Sequence, residues 1–97
     1  MPEHDPRFDG ARFFLGRLVQ TSGALAVLSP EDVLAALQRH ARGDWGELDA
    51  EDREANERAR RDGSRLVSVY RSAVDVKFYV ITEWDRSLTT VLLPEDY

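Results

Sequence analysis

From Arg65 the chain reads Arg65-Leu66-Val67-Ser68-Val69-Tyr70, then Val76-Lys77-Phe78-Tyr79-Val80-Ile81, then Ser87-Leu88-Thr89-Thr90-Val91-Leu92-Leu93. In the first two runs Leu66, Ser68 and Tyr70 oppose Val67 and Val69, and Val76, Phe78 and Val80 oppose Lys77, Tyr79 and Ile81. A period of two marks strands whose faces meet different surroundings. The connections 72–75 and 83–86 are short, and Pro94 closes the last run. These segments predict an antiparallel meander of three strands.

Upstream the period becomes helical. Ser29 is placed to cap, Pro30 suits the first helical position, and Asp32 stands where a capping-box carboxylate belongs. Val33, Leu34, Leu37 and Ala41 then fall on one face, and Gly43 marks the stop. A second helix is predicted from a cap at Asp49, with Asp52 completing its box, to a stop at Gly63. Its apolar residues are only Ala50, Ala55 and Ala59, so it offers the core a thin strip of methyl groups. Closer to the N-terminus, residues 11–20 carry Phe13, Phe14, Leu15, Leu18 and Val19 and suit a strand. Thr21-Ser22-Gly23 reads as a turn into a second apolar run, 24–28, which predicts a β-hairpin. Residues 1–10 hold Pro2, Pro6 and Gly10 among charges and read as a loose arm. The expected architecture is one α+β domain over residues 11–97, in the order ββααβββ, with two helices packing the C-terminal meander.

Composition narrows the function. The 97 residues are 42% hydrophobic, with 18 acidic against 13 basic side chains and a formal net charge of −5. That balance disfavours direct binding to nucleic acid or to an anionic membrane surface. Without cysteine there is no disulfide, thiolate metal site or cysteine nucleophile. No apolar stretch approaches a membrane span, and the acidic start is unlike a secretory signal, so a cytoplasmic protein is expected. Neither a cofactor nor a metal is expected. Oligomeric state is not legible.

The densest feature is acidic: Asp44, Glu47, Asp49, Glu51, Asp52, Glu54 and Glu57, interrupted by Arg53. On a helix Glu47, Glu51 and Glu54 would share a face, and a row of carboxylates can imitate duplex phosphates toward a DNA-binding protein. The competing reading is a solvated helix, because Asp49 and Arg53, Glu54 and Arg58, and Glu57 and Arg61 are all spaced i to i+4. Arg58, Arg60, Arg61 and Arg65 could touch phosphate or simply complement the negative helix end. Trp45 and Trp84 each stand in a polar connection, where the ring serves either as a lid on the core or as an anchor for a partner.

Catalytic material is sparse. Asp62 followed by Asp75-Val76-Lys77 has the outline of a metal-dependent nuclease pattern, in residue types that turns also favour. His40 sits at a helix end, where a protonated imidazole is favoured without catalysis, and His4 lies in the arm. No nucleophile stands beside an evident base.

The segment Arg39-His40-Ala41-Arg42-Gly43-Asp44-Trp45-Gly46 and the tail from Val80 to Tyr97 resemble a family of small plasmid- and phage-borne proteins, some carrying restriction-related labels. The resemblance runs from about Leu28 to Tyr97, and no catalytic residues come with it. It implies a mobile-element setting, in which small acidic proteins blunt host defences. The resulting expectation is a non-enzymatic inhibitor of a bacterial nucleic-acid-targeting defence complex, of the anti-CRISPR or anti-restriction kind. It would bind a basic surface of a protein partner through Asp44, Trp45, Glu47, Glu51, Glu54 and Trp84. The alternatives are a small RNase toxin of a toxin–antitoxin pair and an accessory regulatory module without a defence target.

Overall fold

The computed structural model describes residues 5–97. Strand β1 (Arg17–Gln20) is followed by helices α1 (Ser22–Val27), α2 (Pro30–Ala41) and α3 (Ala50–Asp62), then by strands β2 (Leu66–Arg71), β3 (Lys77–Thr82) and β4 (Leu88–Leu92). Short 3₁₀ turns span Pro6–Phe8 and Pro94–Asp96. The strands form one four-stranded sheet in the order β1-β4-β3-β2. The domain is α+β, and the meander stands in antiparallel register, Tyr70 opposite Phe78 and Val80 opposite Val91.

The N-terminal hairpin is a correction. Residues 24–28 are not a strand, because Thr21 caps a helix: its Oγ1 accepts the Ala24 amide at 3.2 Å. Thr21 also donates its own hydroxyl to the Asp96 carboxylate at 2.6 Å, which fastens the cap to the chain's end. An apolar run this short does not reveal its period, and the Thr-Ser-Gly that resembles a turn is a helix start. Only Arg17–Gln20 of the first run is strand, and with no hairpin partner it lies parallel to β4, Leu18 beside Thr89 and Gln20 beside Val91.

Both longer helices are capped where the sequence places the caps. Ser29 Oγ accepts the Asp32 amide at 3.1 Å, and Asp49 accepts the Asp52 amide at 2.8 Å. The Asp32 carboxylate does not close a box; it accepts the Ala73 amide of the β2–β3 turn at 3.1 Å and ties α2 to the meander. Helix α2 buries Val33, Ala36 and Leu37 against Tyr70, Phe78, Val80 and Val91. The alternate positions, Tyr79, Ile81 and Thr90, form the sheet's other face. There Tyr97 sets its ring edge-on to Tyr79 at 6.0 Å.

Of the arm expected over residues 1–10, Met1 to His4, including Pro2, Glu3 and His4, lie outside the described residues. The remainder is fastened to α2: Gln38 donates to the Arg7 carbonyl, Arg42 to the Asp9 carbonyl, and Phe8 packs against the core.

Backbone geometry ranks two substitutions. Gly46 has φ +73° and bridges to Val69, and a Cβ there would fall on the Val69 carbonyl and the Tyr70 ring. Gly46→Ala should therefore cost more than about 2 kcal/mol. Ser29→Ala removes one exposed cap bond and should cost about 1 kcal/mol. Urea midpoints measure both, and equal losses would contradict the packing at Gly46.

Candidate functional site

Helix α3 is held by very little apolar surface. Ala59 packs with Trp45 and Leu66, whereas Ala50 and Ala55 are exposed. What docks the helix is Asn56, nearly fully buried, whose side-chain amide donates to the Val67 carbonyl at 2.7 Å and accepts the Val67 amide at 3.2 Å. Arg86 secures the other end, reaching from the β3–β4 turn to the Ala59 carbonyl at 3.0 Å and the Ser64 carbonyl at 2.6 Å. Burial lowers the Arg86 pKa, with nearby Asp62 opposing. Neither contact was legible from spacing.

The rest of α3 faces outward. Glu51, Asp52 and Glu54 are exposed, and their carboxylates make no ion pair among the described residues. The i to i+4 pairs that spacing suggests are not formed: Arg53 donates instead to the Leu48 and Gly46 carbonyls, and Glu57 pairs with Arg60 at 2.9 Å. The acidic N-terminal half of the helix thus keeps its charge.

Two expected members of the acidic face stand elsewhere. Glu47 precedes the helix and pairs with Arg71 of β2 at 3.1 Å, so it does not share a row with Glu51 and Glu54. Asp44 pairs with Arg39 at 2.7 Å, and that hydrogen bond holds its carboxyl below the ordinary range, against the opposing effect of burial.

Trp45 is a lid. Its ring is 4% exposed, stacks near Phe13 at 6.0 Å, and donates its indole N–H to Glu57 at 3.0 Å. It cannot anchor a partner in this arrangement. Trp84 is 67% exposed, but it sits on the turn beside the C-terminal end of α3, away from Glu51 and Glu54 at the N-terminal end. Asp44, Trp45 and Glu54 do line one open groove of about 560 Å³. Arg53, Arg58 and Arg61 share that groove, so its charge is mixed.

The hydrolytic candidates separate. Asp62 ends α3 and accepts the Ser64 hydroxyl, whereas Asp75 sits in the β2–β3 turn at φ +66° beside Arg71. These turns lie at opposite ends of β3, roughly 20 Å apart for a strand of that length. Among the described residues no three His, Asp or Glu side chains gather at metal-binding spacing.

His40 overturns the helix-end reading, because it is fully buried. Its Nδ1 lies 2.5 Å from Ser68 Oγ and its Nε2 2.8 Å from Thr82 Oγ1, while Thr82 meets Thr89 at 2.7 Å. The chain ends where Thr89 donates to the Leu15 carbonyl at 2.6 Å. A carbonyl only accepts, which fixes the direction of every bond before it. Thr89 spends its proton on Leu15, so Thr82 must donate to Thr89 and His40 Nε2–H to Thr82. Nδ1 is then the acceptor for the Ser68 hydroxyl. Phe13 and Trp45 close the ring edges at 5.3 and 5.6 Å. Burial, with the Arg86 charge as a second cause, lowers the His40 pKa to about 3. A Ser–His pair is present, but both side chains are at 0% exposure and no substrate reaches them.

Compared with known protein families, with curated proteins and with solved structures, the chain matches none. Among the described residues no helix is long and apolar enough to cross a membrane.

His40 makes stability depend on pH. An unfolded histidine titrates near 6.5, so between there and about 3 the unfolded chain takes a proton that the folded chain refuses. Stability is full above that window and falls as pH drops through it. The loss should reach about 2 kcal/mol between pH 7 and pH 5. Urea unfolding at several pH values measures the slope, and His40→Asn should remove most of it while lowering stability throughout.

Proposed function

We propose that the chain acts by binding rather than catalysis, as a mobile-element inhibitor of a bacterial nucleic-acid-targeting defence complex. The exposed N-terminal half of α3 is the surface that would cover the partner's basic site. One observation carries the reading. Glu51, Asp52 and Glu54 present carboxylates that form no ion pair among the described residues, on a helix whose inner face contributes little beyond Asn56 and Ala59 to the core. Unpaired charge of one sign is what steers association with an oppositely charged surface, and it makes that association fast and sensitive to salt.

The catalytic alternative has less support. A small RNase needs an accessible base, and His40 is sealed among Phe13, Trp45 and the sheet. Glu47 and Asp44 contribute less to the acidic surface than Glu51 and Glu54, because each carries an arginine.

Interference assays test the reading in bacteria that carry a CRISPR or restriction system. Expression of the chain should restore the entry of a targeted plasmid. The double variant Glu51→Lys/Glu54→Lys should lose that effect with its urea midpoint preserved, since both residues are exposed. A control reversing Glu31 and Glu95 should retain it. Equal performance of the two variants would leave α3 as an ordinary solvated helix.

A further inference from the structure

The two edges of the sheet are treated differently. Along β2 the outward groups of Val67 and Val69 are occupied: Asn56 takes both backbone groups of Val67, the Val69 amide donates to the Trp45 carbonyl at 3.2 Å, and the Glu47 amide donates to the Val69 carbonyl at 2.8 Å. Along β1 nothing comparable exists. Arg17 and Thr21 turn their amides inward, to the Ser87 and Val91 carbonyls, so the alternation of a strand turns the N–H and C=O of Leu18 and Gln20 outward. No described group bonds to them. The strand has no proline or bulge to guard this edge.

A groove of about 860 Å³ adjoins the same edge, lined by Phe8, Phe13, Phe14, Leu15 and Leu18. Phe14 is 57% exposed. The nearby cations are unequal. Arg7 is paired with Asp5, Arg86 is committed to carbonyls, and Arg12, in the groove wall, lies within electrostatic reach of Glu57, while Arg17, on the strand, pairs with no carboxylate among the described residues. Register puts Leu18 beside Thr89 on the helix side of the sheet and Arg17 on the other side.

We propose that this edge and groove form a docking site for an extended acidic segment of a partner protein, added as a fifth strand beside β1. Main-chain bonds to Leu18 and Gln20 hold it. Alternate side chains meet different surroundings, about 7 Å apart along the strand: apolar ones enter the groove at Phe14 and Leu18, and carboxylates lie against Arg17. A second copy of this chain is the wrong occupant, because residues 10–20 contain arginines and no acid, so two such edges would oppose like charges. The site is separate from the acidic helix and does not rest on the function proposed for it.

The test uses a capped peptide of about six residues alternating glutamate and valine, titrated into the ¹⁵N-labelled chain. Binding should saturate and should slow hydrogen exchange at the Leu18 and Gln20 amides. A lysine–valine peptide, and a glutamate–valine peptide N-methylated at alternate residues, should each bind at least about tenfold more weakly. Arg17→Glu and Phe14→Ala, both at exposed positions, should keep the thermal midpoint of the parent and weaken binding of the first peptide. Failure to saturate at millimolar peptide overturns the proposal, as does equal binding of the lysine peptide. It falls equally if the perturbed amides lie away from β1, or if Leu18 and Gln20 become protected by raising the protein concentration alone, which would assign the edge to self-association.

Discussion

The fold turns on a single buried imidazole. His40 joins α2 to β2 through Ser68 and to β3 through Thr82, and Thr82 extends the path through Thr89 of β4 to the Leu15 carbonyl. Five separate segments thus share one line of hydrogen bonds, in an interior where a missing partner leaves the full desolvation cost uncompensated. The line works only with a neutral ring. A second ring proton would oppose the Ser68 hydroxyl and add a buried charge near Arg86. Polarity in the core therefore fixes how the helices sit on the sheet, where hydrophobic contact alone would tolerate a slide.

Around that line the small core is completed by polar devices. Helix α3, with a run of charges and three alanines, could not be retained by apolar burial. Asn56 substitutes for it by offering an amide that matches the backbone of β2. The same contact protects the strand's edge, and the linker at Gly46 protects the next pair of groups. Docking a polar helix and blocking a sheet edge are here one interaction. Trp45 depends on both, since its ring covers His40 and Phe13 while its N–H is held by Glu57 from α3.

This division explains what could be read from the sequence. The three C-terminal strands, the caps at Ser29 and Asp49 and the stop at Gly63 rest on local periodicity and local hydrogen bonds, and those signals are written in neighbouring residues. Helix α1 was illegible because six residues give less than two turns of pattern and Thr-Ser-Gly serves equally in a turn or a cap. The parallel pairing of β1 with β4 depends on residues about seventy apart, which no local period encodes. At the candidate site the exposure of Glu51 and Glu54 followed from the poverty of α3 in apolar residues. The pairing of Glu47 with Arg71 and of Asp44 with Arg39, and the burial of Trp45 and His40, did not, since each needs a partner from another element.

Charge is sorted across the surface by these same constraints. The acids of α3 crowd toward its N-terminal end, where the helix dipole favours them, and Arg60 and Arg61 lie toward the other end. Residues 10–20 hold bases only and run along the open edge. A net charge of −5 therefore conceals two surfaces of opposite sign, which can attract different partners. Their accessibility has different origins. The acidic face is free because a helix docked through one asparagine needs little more of its surface. The β1 edge is free because a parallel strand at the end of a sheet leaves half its backbone groups without a neighbour. The second condition is the stronger statement about binding, since exposed carboxylates are satisfied by water whereas a row of strand amides beside an apolar groove is complementary to another strand.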